Sequence, residues 1–186
     1  YLVVQELTAA LARGKSLHEL RSIIDDLPTD ILKLYTAVSG SIDVEDARKG
    51  AVYFRIIDTS QTALEVEILW FIEERTILDS NEAKNAAIRN LERRLDSSTR
   101  GMLEAKSFGT INYHHSSVRE WLSLPQVSSE MTARLPRDFD ANLMLLEAHV
   151  ANFNHPRPDN QEASKEPSPA RFWVFLWTCL FHASGV

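Results

Sequence analysis

The chain of 186 residues holds a single cysteine, Cys179, which excludes an internal disulfide and any zinc site built on paired thiolates. Such cysteine usage suits a reducing compartment, and a cytoplasmic location is expected. Glycine and proline are sparse, at 6 and 7 residues, so neither a collagen-like repeat nor chain-wide disorder fits. A basic excess is also missing: 20 Lys and Arg stand against 26 Asp and Glu, a formal net charge of −6. Sequence-independent nucleic-acid binding draws on clustered cations that displace phosphate counterions, so no nucleic-acid partner is expected. The most apolar run, Phe172 to Phe181, is about half of the ~20 residues needed to cross a bilayer, and no membrane partner is expected either. No basic segment leads into an apolar one near Tyr1, which argues against a signal peptide, and a first residue other than Met reads as an excised fragment.

What is present has globular proportions, 44% apolar and 25% charged, and its apolar residues recur mostly at helical spacing. Leu2, Val3, Leu7, Ala10 and Leu11 predict a helix that stops at Gly14. Ser16 with Glu19 forms a capping box ahead of Leu17, Leu20, Ile23 and Ile24, a second helix running to about Asp26. Pro28 fits a first helical turn, and Ile31, Leu34, Tyr35 and Val38 give the third face before Gly40. Asp43 caps a helix with Ala47, Ala51, Phe54 and Ile57 on one side. Thr62 and Glu65 form another capping box before Leu64, Ile68, Leu69 and Ile72. Ile88, Leu91 and Leu95 stripe a helix over about Asn81 to Ser97.

The period then changes. Met102 to Lys106 and Thr110 to His114 predict two short strands, with Gly109 able to take the positive φ of a tight hairpin. Ser116 or Ser117 caps a short helix bearing Val118, Trp121 and Leu122, which ends before Pro125. Asp140 opens a helix with Leu143, Leu146 and Val150 along one side. Pro156, Pro158, Pro167 and Pro169 among polar residues predict a flexible linker, and Phe172, Trp173, Leu176, Trp177 and Leu180 begin a last, apolar helix. The expected fold class is therefore mainly α, a winged-helix domain of helices and a short β-hairpin flanked by helical segments.

Four constellations invite a functional reading. Gly14-Lys15-Ser16 matches the end of a phosphate-binding loop, but the upstream glycine position is Ala9 and a helix precedes it where a strand is required. His114-His115-Ser116-Ser117 with Glu120 suggests a hydrolase, yet the Gly-x-Ser-x-Gly elbow is absent and neighbouring strand residues face opposite ways. The simpler expectation is one histidine in the core, one at the surface, and serines that cap a helix. His114, His115 and His149 lack metal-ligand spacing, so no metal is implied. Lys84, Arg89, Arg93 and Arg94 would line a DNA recognition helix, diluted by Glu82, Glu92 and Asp96.

Several segments taken in order resemble one family. "LHELRSIIDDLPTDILKLYTAVSGSI", Leu17 to Ile42, resembles the segment that follows the NACHT nucleotide-binding module in fungal NLR-like STAND proteins. "RLDSSTRGMLEAKSFGTINYHHSSVREWL", Arg94 to Leu122, resembles a downstream segment of the same family, and Phe139 to Val150 and Phe172 to Ala183 resemble its next two helices. The resemblance implies a regulatory winged-helix and helical region, non-catalytic by itself, in receptors of non-self recognition, heterokaryon incompatibility and programmed cell death. It divides the chain into the end of a helical lid over 1–27, a winged-helix-like domain over 28–127, a helical segment over 128–155, a linker over 156–170 and a truncated helix over 171–186. Its partner would be the intramolecular NACHT core, with an oligomer in the active parent. ADP or ATP with Mg²⁺ would sit in that core, and no cofactor is expected in this piece itself. In related receptors a histidine at the end of the wing reaches the nucleotide's phosphates, and His115 is the matching position, although Ser116 follows it where the family has Asp or Arg. By its own chemistry His115 also reads as a packing or helix-capping residue. Arg119 and Glu120 match an Arg-Asp pair of the family, or else form a surface ion pair of little weight.

Overall fold

The computed structural model describes residues 8, 10–25, 30–60, 63–78, 80–106, 109–154 and 169–184. Its first helical residues end at Gly14, whose φ of +78° only a residue without a Cβ adopts freely. The Gly14 N–H bonds the Leu11 carbonyl at 2.9 Å and the Lys15 N–H bonds that of Ala10 at 3.1 Å, the paired closure of a helix C-terminus. Leu2, Val3 and Leu7 lie outside the described residues. Helix α1, Leu17–Asp25, begins on the expected capping box: the Ser16 N–H donates to Glu19 Oε2 at 2.8 Å, and the Glu19 N–H donates to Ser16 Oγ at 3.4 Å. Leu20 is buried, but Leu17, expected beside it, is 85% exposed because it occupies the first turn, ahead of the packed stripe.

Helix α2, Ile31–Gly40, starts on Asp30, whose carboxylate accepts the Leu32 N–H at 2.9 Å. Pro28, expected in its first turn, lies outside the described residues. Helix α3, Val44–Thr59, is capped by Asp43, and Ala47, Ala51, Phe54 and Ile57 are all buried as their spacing requires. Leu64–Glu65 then form a strand, β1, where the sequence predicts the start of a helix; helix α4, Val66–Glu74, begins one residue later with Glu65 at its N-cap and no side-chain capping bond. Thr62, the other half of the expected capping box, lies outside the described residues. Helix α5, Asn81–Thr99, buries Leu91 and Leu95.

Strands β2, Leu103–Ala105, and β3, Thr110–Tyr113, form the expected hairpin, with Gly109 at φ +77°. β1 pairs antiparallel with β3, Leu64 opposite Ile111, and the sheet order is β1-β3-β2. Helix α6, Ser116–Leu122, stops at Ser123, and Pro125, expected as a terminator, instead opens helix α7, Pro125–Arg134. A first turn has no use for the missing N–H, so proline starts helices as readily as it ends them. Helix α8, Ala141–Asn154, is capped by Asp140 as expected, but its buried residues are Ala141, Leu145 and Ala148, while Leu143 and Val150 are exposed. Helix α9, Pro169–Ala183, takes in the last residues of the expected linker, most of which lies outside the described residues.

The molecule is mainly helical with one small antiparallel sheet, and it forms two compact units, each assembled from separated stretches of chain. The first gathers 1–51, 95–104 and 113–134. There α2 packs on α6, burying Tyr35, Val38, Val118 and Trp121. Gly50 of α3 also meets the Ser98 carbonyl so closely that an added Cβ would lie 2.4 Å from its oxygen. The second gathers 52–94, 105–112 and 135–186, with α8 packed on both α4 and α9 around Leu69, Ile72, Leu145 and Ala148.

Candidate functional site

In the first unit the end of the hairpin runs straight into α6. The His114 N–H bonds the Met102 carbonyl at 3.0 Å, which completes the ladder, and His115 keeps an extended backbone, φ −145° and ψ 149°. That conformation turns its ring over the helix start. His115 Nδ1 accepts the Ser117 N–H at 3.2 Å and lies 2.7 Å from Ser117 Oγ. The N-cap is therefore the histidine, and the expected capping serines are inside the helix. The imidazole has the geometry of a cap because its Nδ1 lone pair sits as far from the backbone as an Asn oxygen does.

Ser117 is buried, and its hydroxyl also lies 2.9 Å from Tyr35 Oη on α2. Tyr35 is in turn fixed by its neighbours: its ring centroid is 5.9 Å from that of Trp121, and Trp121 Nε1 donates to Thr36 Oγ1 at 3.0 Å. A line of contacts thus joins the α2–α6 core to the exposed ring of His115. His114 is also exposed and lies 2.9 Å from Glu104 Oε2 through Nδ1, so the expectation of one core histidine fails. A core place at this position would have required burying the ring on the sheet face that carries Ile111. Arg119 stacks over the Tyr113 ring at 5.2 Å, and Glu120 is exposed; successive helical residues diverge, so they make no pair with one another.

Of the two serines, Ser116 is exposed and Ser117 is buried. Ser117 Oγ is engaged by both Tyr35 and His115 inside the packing, and an attacking oxygen has to reach a substrate atom. Gly14-Lys15-Ser16 spans a helix end and the next capping box, so its amides do not surround an anion in the manner of a phosphate loop.

In the second unit two of the four cations of the expected recognition helix, Lys84 and Arg94, are committed to carboxylates. Lys84 Nζ is 2.6 Å from Glu67 Oε1. Arg94 reaches Glu73 Oε2 and Glu74 Oε1, each at 2.6 Å, with its guanidinium over the Trp70 ring at 5.4 Å. Arg89 and Arg93 are exposed. On α8 and α9, His149 and His182 stack at 6.0 Å, and His182 Nδ1 lies 3.0 Å from Asn142 Oδ1. Burial, and then the neighbouring His182, push the His149 imidazole down to about 4; burial lowers His182 as well and raises the Cys179 thiol. Sequence reasoning weighed His149 only as a metal ligand and missed its partner, because no local spacing marks two residues 33 positions apart as neighbours.

Among the described residues no group of three or more His, Cys, Asp or Glu is placed to hold a metal ion, and no helix is long and apolar enough to cross a membrane. No protein-family model, curated protein or solved structure matches the chain.

Proposed function

We propose that the chain is the regulatory winged-helix and helical module of a fungal STAND receptor of the NACHT type, and that it controls a closed-to-open switch without catalysing a reaction. In this reading the helices with their hairpin pack on a nucleotide-binding core elsewhere in the parent protein, hold it closed with ADP bound, and release it in non-self recognition or cell-death signalling in the cytoplasm. The observation that carries the proposal is His115, exposed at the junction of hairpin and α6 and braced through Ser117 to the buried Tyr35. An imidazole held this way has a fixed ring for a nucleotide's phosphate oxygens, while the surrounding helices supply the body that rotates. ADP or ATP with Mg²⁺ belongs to the core; His115 is the residue of this chain that would touch it.

The test is made in the full-length parent. His115→Leu should release bound ADP and shift the protein toward its assembled form, read by nucleotide extraction and light scattering; unchanged ADP content and unchanged mass would remove His115 from the switch.

A further inference from the structure

Each donor and acceptor around His115 can be assigned a direction. The Ser117 N–H donates to His115 Nδ1 at 3.2 Å, so Nδ1 carries its lone pair there and the proton of the neutral ring resides on Nε2. The 2.7 Å contact from Ser117 Oγ to the same Nδ1 then requires the serine hydroxyl to donate as well. Ser117 has one hydroxyl proton, and that proton is committed, so at 2.9 Å the Tyr35 O–H has to be the donor and Ser117 Oγ the acceptor. The polarity of the whole line is fixed: Tyr35 to Ser117, Ser117 to His115 Nδ1. Among the described residues nothing accepts from His115 Nε2, and the residue is exposed.

We infer that Tyr35 and Ser117 are positioning residues that hold His115 as the Nε2-protonated tautomer, so that the ring offers a hydrogen-bond donor, and no acceptor, to whatever approaches it. The device selects ligands by their acceptor atoms: phosphoryl and carboxylate oxygens are matched, and amide or amine donors meet an N–H. It rests on the nucleotide-facing role proposed above for its purpose, though its geometry stands within this chain alone. Tyr35, far from His115 in sequence and buried at 2% exposure, has its hydroxyl spent on this line; a purely structural tyrosine would serve the Trp121 packing equally well as phenylalanine.

The experiment is long-range proton–nitrogen correlation spectroscopy on the ¹⁵N-histidine-labelled chain, above the ordinary imidazole titration range, with His115→Gln to assign the signals. The unaltered chain should show a pyridine-type Nδ1 and a pyrrole-type Nε2 at His115. Ser117→Thr keeps the hydroxyl and should preserve that pattern, whereas Ser117→Ala leaves only the 3.2 Å amide bond on Nδ1 and should move its shift part of the way toward the average of exchanging tautomers. Ser117→Asp places an acceptor opposite Nδ1 and should invert the two nitrogens, and Tyr35→Phe should give a smaller move in the same sense as Ser117→Ala. A pyrrole-type Nδ1 in the unaltered chain, or nitrogen shifts in both Ser117→Ala and Tyr35→Phe that equal those of the unaltered chain, would overturn the inference. Circular dichroism checks that each variant folds, and if Ser117→Asp does not, the alanine and phenylalanine variants decide alone. Separately, retention of ADP by the parent reports on the nucleotide role: a fixed tautomer with no ADP response refutes that role and leaves the positioning intact, whereas an averaged tautomer with an ADP response does the reverse.

Discussion

Gly50 sits in the interior of α3, where glycine is ordinarily about 1 kcal/mol worse than alanine for a helix. Propensity alone would make Gly50→Ala stabilising. The close approach of the Ser98 carbonyl reverses the sign, because a Cβ 2.4 Å from a backbone oxygen forces α3 and α5 apart at that point and backbone cannot rotate out of the way as a side chain can. We expect Gly50→Ala to lose about 1–3 kcal/mol of stability, seen as a lower urea midpoint at unchanged slope. A midpoint equal to or above that of the unaltered chain would show that the two helices can part freely here. The sequence carried no hint of this contact, since glycine in a helix reads the same whether it is crowded or idle.

At the scale of elements, the α8–α9 pair turns on two stacked imidazoles, His182 buried and His149 half-buried. His149 is held neutral in the folded protein, its value near 4 against 6.5 for a free imidazole, so the unfolded chain binds more protons between those values. Stability is fully present above about 6.5 and falls as the pH drops toward 4; His182, lowered by burial, adds in the same direction. The carboxylate of Glu147, also on α8, is bound by Arg75 at 2.6 Å, and so does not offset a charge on His149. Urea titrations across this range should show a loss on the order of 2 kcal/mol, and His149→Phe should flatten it. A profile equally steep in the variant would place the acid sensitivity elsewhere.

The same pair shows which element features were legible. Three helix starts were, because Ser16, Asp43 and Asp140 each satisfy amides two or three residues on, a bond that needs no tertiary partner, whereas the starts at Val66, Ser116 and Pro125 were not. The buried side of α8 was not. Its leucines and alanines surround the helix almost evenly, so periodicity has no phase, and the small Ala141 and Ala148 are what allow close packing, while larger Leu143 and Val150 stay outside. A strand as short as Leu64–Glu65 shows no alternation at all, and it exists only because β3 offers it an edge. At the candidate site, the place of His115 at the hairpin end was readable from the strand and helix patterns on either side, and its choice as a site residue came from the family resemblance; Tyr35, which braces it through Ser117, could be known only from the fold.

For the molecule as a whole, a net charge of −6 and the commitment of Lys84 and Arg94 to carboxylates leave little to displace counterions from a phosphate backbone. We expect no salt-sensitive binding of duplex DNA by the chain, measured as fluorescence anisotropy of a labelled duplex at rising ionic strength. Binding that weakens steeply with salt would instead favour a DNA-binding winged helix over a receptor module. The order of helices, hairpin and helix was readable from local patterns, but the grouping of separated stretches into two units was not, since it depends on which distant surfaces meet.

The tryptophans divide between those units in a useful way. Trp121 is 1% exposed in the first, whereas Trp173 and Trp177, at 64% and 70%, stand on α9 in the second. An aqueous quencher such as acrylamide will therefore extinguish the α9 emission first, then that of the half-buried Trp70 on α4 of the same unit, and Trp121 last, so the unlabelled protein carries its own optical reporters for both units.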